Sequence, residues 1–176
     1  MKLFPQRIRP PAQLRKLLGP DERWLAIADH GLLTVAATQL GLWLPADTAT
    51  AGWRRVDWDQ VVKASWTESG LELIEAELDE RGIVTDRAPT RIRPAEPRNL
   101  PVVVRARVER SIGRWEQVHV PGGTGRIVGR RKPGVDGVHW TARLDSGTPD
   151  SPEARDVLAG YLARIAELPP EALVES

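Results

Sequence analysis

The chain has 176 residues and a mass of 19.5 kDa, enough for one domain or one domain with a small appendage. It contains no cysteine, which excludes a disulfide scaffold, a zinc finger, an iron–sulfur site and a thiol nucleophile. With 41% hydrophobic residues, 28% charged residues and a net charge of +1, it has the composition of a chain that buries its own core.

Residues 1–21 read as an N-terminal arm with a short helix. Pro10 and Pro11 open the helix at Ala12, and Gly19-Pro20-Asp21 ends it. The start has basic residues but no apolar run of secretory length, and no stretch is apolar enough for a membrane span, so a cytoplasmic protein is expected. From Arg23 the period is two. Trp24, Ala26 and Ala28 are expected on one face, with Leu25 and Ile27 on the other. A turn at Asp29-His30-Gly31 leads to strands over Leu33–Ala37 and Gly41–Leu44, a loop over 45–51, and strands over Trp53–Val56 and Val61–Trp66. Thr67-Glu68-Ser69-Gly70 is a hairpin turn, so Leu71–Arg81 is expected as the partner strand, although its strong helix formers also fit a helix. Residues 82–101 interleave Pro89, Pro94, Pro97 and Pro101 with arginines and read as an extended crossover between two halves.

Val102–Ile112 fits a strand by alternation and a helix by Val104, Val108 and Ile112; Pro101 in the first turn favours the helix. Strands over Trp115–Val120, Arg126–Lys132 and Val138–Leu144 follow, with glycine-rich turns between them. Asp150 or Ser151 caps a last helix, whose Val157, Leu158, Tyr161, Leu162 and Ile165 form one face. The expected architecture is α+β and β-rich. It has a curled antiparallel sheet over 22–81, the crossover over 82–101, an α-β-β-β-α half over 102–168 packed on the first, and a tail over 169–176.

The small net charge hides opposed blocks. Residues 57–86 carry nine acids and two bases, whereas 87–133 carry twelve bases and three acids. The basic block either meets an anionic partner or faces the acidic block within the molecule. The anion-binding candidates are Arg126, Arg130, Arg131 and Lys132 beside the Gly122–Gly125 turn, together with Arg105, Arg107 and Arg110. A hairpin with solvated arginines is the plainer alternative for the first four. Seven tryptophans stand against one tyrosine and one phenylalanine, and five of them fall between 24 and 66. They read as core of a small curled sheet rather than as a stacking platform.

No catalytic motif is present. Gly122–Arg126 lacks the ending of a phosphate-binding loop, the glycines do not fit a dinucleotide fingerprint, and no Gly-x-Ser-x-Gly occurs. His30, His119 and His139 have no partners at metal-ligand spacing. The expectation is a module without enzymatic activity, metal or cofactor. It would bind a protein partner or an anionic surface, a lipid headgroup or an acidic protein, through its arginine-rich segment; its oligomeric state is not legible.

Two resemblances bear on this. Val35–Leu42, Arg54–Val61 and Ala64-Ser65-Trp66, with Gly122–Arg131, His139-Trp140 and Leu144–Gly147, resemble an uncharacterised group of actinobacterial proteins over about residues 20–166. The first half is also similar to bacterial pleckstrin-homology-like domains, apart from Gly41, where such domains often carry a larger or basic residue. The resemblance implies a binding or scaffolding role. The helix–three strands–helix order from 101 onward is similar to a double-stranded RNA-binding domain, which makes nucleic-acid phosphate the second partner class. The lysine cluster such domains use is replaced here by Ser151–Asp156, with Arg155 as its one cation.

Overall fold

The computed structural model describes residues 10–30, 33–46 and 52–167. The first nine residues of the expected arm, part of the turn at 29–31, most of the loop at 45–51 and the tail at 169–176 lie outside them. Among these residues the fold is α+β, with eleven strands in three antiparallel sheets of four, four and three strands, a C-terminal helix and no closed barrel.

Helix α1 (Ala12–Leu17) precedes a meander of β1 (Trp24–His30), β2 (Leu33–Thr38), β3 (Gly41–Pro45) and β4 (Trp53–Asp57), paired in chain order. A single 3₁₀ turn, Trp58–Gln60, carries the chain into the second sheet. There β5 (Val61–Thr67) and β6 (Gly70–Leu78) form the expected hairpin. Its turn needs the glycine: Gly70 has φ +107, and a Cβ there would lie 2.3 Å from the Ile92 carbonyl oxygen.

The crossover expected over 82–101 is instead part of this sheet. β7 (Val84–Asp86) and β8 (Thr90–Ile92) lie end to end along one edge of β6. The prolines fall between and after these short strands, where no ladder hydrogen bond is lost. Helix α2 (Leu100–Ser111) follows, then β9 (Ile112–Val120), β10 (Gly123–Arg130) and β11 (His139–Leu144), and finally α3 (Pro152–Glu167). Ser151 caps α3, its Oγ accepting from the Ala154 N–H at 3.1 Å.

Three apolar clusters organise these elements. The first lies between the two four-stranded sheets and contains Leu42, Leu44, Val56, Trp58, Leu71, Leu73 and Ile92. Trp58 is fully buried there, and its Nε1 donates to the Thr38 carbonyl at 3.0 Å. Leu100 and Val104 of α2 close this same cluster. The sequence reading grouped that helix with the second half; its apolar stripe packs on the first. The second cluster sandwiches Val118, Ile127 and Ala142 of the third sheet against Ala154 and Leu158 of α3. Ile83 joins it from the segment before β7, through a parallel bridge to Ala142 and an Ala142 N–H to Gly82 carbonyl bond of 3.1 Å.

The third cluster lies on the outer face of the first sheet, where Leu14 of α1 covers Ile27, Ala36 and Trp43, with Trp24 and Trp53 at its margin. Trp24 was expected beside Ala26 and Ala28. A register shift between Trp24 and Ala26 moves it to the opposite face, next to Ile27. A buried carboxylate fixes this layer. Glu22 accepts from Thr38 Oγ1 at 2.6 Å, Trp43 Nε1 at 2.8 Å and Arg55 Nη1 at 3.1 Å.

Candidate functional site

The seven cations expected to bind anions do not form one patch. Three are held by carboxylates: Arg126 by Asp145 at 2.6 Å, Lys132 by Asp57 at 3.2 Å and Arg105 by Glu109 at 2.8 Å. Arg107, Arg110 and Arg131 have no carboxylate partner among the described residues. Arg130 is the half-buried member, and its Nη1 donates to Ser111 Oγ at 3.1 Å, at the C-terminal end of α2. Burial, and then the charge of Arg143, lower its pKa against the opposing pull of Asp59; the guanidinium stays charged at neutral pH.

Part of the basic block faces the acidic one. Arg91 pairs with Glu72 at 2.9 Å, Arg87 with Glu77 at 3.7 Å and Lys132 with Asp57. Outside that block, Arg143 pairs with Asp86 and Arg155 with Asp79. These contacts reduce the charge available to an outside partner. Because α2 packs on the first cluster, α3 is the one helix on the third sheet among the described residues, and α2 and α3 do not form the two-helix face of a double-stranded RNA-binding domain. Among the described residues, no three His, Cys, Asp or Glu side chains are placed to hold a metal ion. No helix of the described residues is long and apolar enough to cross a membrane.

A groove of about 600 Å³ lies between β5 and α2. Strand β5 pairs with β6 alone among the described residues, so its other edge faces this groove. Thr67 and Gly70 flank a two-residue turn and exchange ladder bonds. Alternation then turns the N–H and C=O groups of Ala64 and Trp66 away from β6. The groove wall is apolar. It is made of Trp66 and Leu71 from the sheet, and of Pro101, Val102, Val104 and Val108 from α2. Val102 is 71% exposed, a large value for an aliphatic residue on a helix that closes a core. Lys63 and Arg105 stand at the rim, with Glu109 beside Arg105.

Sequence reasoning placed β5 and α2 but missed the groove. The alternation of Val62, Ala64 and Trp66 marks a strand without saying which of its edges stays open. Comparison with known proteins adds no further constraint: no family model, curated protein or solved structure matches the chain.

Proposed function

We propose that the protein is a non-catalytic interaction module that takes an extended segment of a protein partner into the β5–α2 groove as an added strand. The observation that carries this reading is the β5 edge, unpaired among the described residues, lying along an apolar trough. An open strand edge presents a row of donors and acceptors that another extended backbone satisfies. Natural sheets usually blunt or cover such an edge. Here the neighbouring helix packs beside it and leaves an open groove along Lys63–Trp66. The partner segment alternates apolar side chains, which enter between Trp66 and Val108, with polar ones that face out. An acidic flank suits Lys63 and Arg105. The four β5 residues along the groove, at about 3.3 Å each, give an edge of roughly 13 Å, room for about four partner residues.

Membership of the pleckstrin-homology-like group belongs to this proposal. It is supported by the order of a four-stranded meander, a second antiparallel sheet and a closing helix. A cytoplasmic location belongs to it too, supported by the lack of cysteine.

The test is selection of a random-peptide phage library on the full chain, followed by calorimetry with the enriched peptides. Alternating apolar peptides are expected. Ala64→Pro removes one outward donor while keeping the ladder to β6, and is expected to abolish binding. Val102→Glu is expected to weaken binding by about tenfold or more at unchanged melting temperature. Enriched peptides that bind both variants as well as the parent would overturn the reading.

A further inference from the structure

A second concavity, of about 470 Å³, lies between the β5–β6 hairpin and the face of the third sheet turned away from α3. Its lining is not that of a core. Arg126 and Arg130 are four residues apart on β10 and share one face of it. Arg143 on β11 stands directly opposite Arg126. Like charges directly opposed across a ladder destabilise a sheet, so such a face is costly unless anions meet it. Asp145 and Asp86 take one contact each from Arg126 and Arg143. Lys63 adds a fourth cation from β5. The cleft walls hold four cations against two carboxylates, and Arg130 makes no ion pair among the described residues. Its Nη1 reaches Ser111 Oγ, which leaves most of its five N–H donors unassigned at a half-buried position. Asp59 faces Arg130 from a narrower adjoining space of about 130 Å³, without a contact of ion-pair length.

The remaining wall is apolar. Val62 and Ile74 come from the second sheet, and Ile112, Trp115 and Val128 from the third. Trp115 is 56% exposed, with the Arg126 guanidinium 5.5 Å from its ring centroid. The combination is three arginines spread along a cleft and an aromatic and aliphatic wall beside them.

We infer that this cleft is a binding site for a small phosphate monoester with an apolar or aromatic body, its phosphate held by Arg130 and Arg143 and its body laid against Trp115. The excess of two positive charges matches the charge of about −1.5 to −2 on such a phosphate at neutral pH. Guanidinium donors suit its oxygens in a paired geometry that a lysine patch does not offer. The site stands apart from the β5–α2 groove except for Lys63, which borders both.

Calorimetric titration of the full chain with phenyl phosphate, inorganic phosphate and benzoate tests it. Phenyl phosphate is expected to bind about tenfold or more tightly than either of the others. Arg130→Gln and Arg143→Gln are each expected to weaken it by about tenfold or more. Trp115→Ala is expected to weaken phenyl phosphate while leaving inorganic phosphate unchanged. Should Arg130→Gln unfold the chain through its contact with Ser111, Arg143→Gln and Trp115→Ala carry the test alone. Benzoate binding as tightly as phenyl phosphate would overturn the charge match. No heat with any of the three at millimolar concentration, or undiminished affinity in the folded variants, would overturn the site. Binding to vesicles containing phosphatidic acid, without binding to phenyl phosphate, would overturn the assignment to a soluble ligand. None of these outcomes depends on peptide capture at β5.

Discussion

The first cluster and the second differ in how their sheets are covered. The first is enclosed by two sheets, with α2 laid across the opening, and α1 covers much of the outer face of the first sheet. The third sheet, which builds the second cluster, has apolar cover on one side only: α3 with Ile83 lies there, and arginines line the other face. A tryptophan marks each condition. Trp58 is sealed, with its indole N–H satisfied by a carbonyl; Trp115 lies open beside a guanidinium. One residue type thus does packing in one region and waits on a surface in the other. The surrounding layers, rather than the side chain, decide which.

Substitution separates the two regions. Trp58→Ala is expected to cost about 3–5 kcal/mol in chemical denaturation, whereas Trp115→Ala is expected to cost less than about 1 kcal/mol. Equal losses would erase the distinction. Leu158→Ala empties the centre of the second cluster, where a Cβ on Gly125 would lie 2.8 Å from the leucine, and is expected to cost about 2–4 kcal/mol. A smaller loss would show that α3 rests loosely on its sheet. Glu22→Gln keeps the shape of the buried carboxylate and removes its charge. It is expected to cost about 1.5–3 kcal/mol by thermal melting, because Arg55 and Trp43 lose a charged acceptor.

Acid sharpens the comparison further. Burial alone would raise the Asp145 carboxyl, but hydrogen bonds from Thr124 and Gln117 and the nearby Arg126 hold it below its usual value of 3.8. A carboxyl depressed by folding adds stability above its unfolded pKa, and that stability is lost as the pH falls through the folded one. Asp145→Asn is therefore expected to flatten the fall in melting temperature below about pH 4. A parallel fall in both proteins would show that the depression adds nothing measurable. The smallest effect is expected at the exposed Arg105–Glu109 pair, where Arg105→Ala should change stability by less than about 0.5 kcal/mol.

Much of the secondary structure was legible because period and punctuation agreed. The Thr67–Gly70 turn fixed the hairpin even though Leu71–Leu78 is rich in helix formers, and Pro101 settled α2 against an alternating pattern. The short strands at 84–86 and 90–92 were not legible, since three residues bounded by prolines carry too little alternation to outweigh them. Trp24 was placed on the wrong face because a bulge leaves no mark in the apolar pattern. The arginine block was visible as a run, but its partners come from distant strands. Arg143 was not among the expected anion-binding residues, and pairing across β10 and β11 is what sets it opposite Arg126. The β5 edge was hidden for the same reason, since openness belongs to the sheet and not to the strand.

Ile83 gives the chain a property that neither cluster has alone. It precedes a strand of the second sheet yet fills the centre beneath α3, so the two units are interleaved along the polypeptide rather than strung in tandem. A fragment ending at Ser111 would display this isoleucine to water, and one beginning at Ile112 would carry a hole where it belongs. The molecule offers no clean place to be cut in two, and calorimetry should show its parts melting in a single transition.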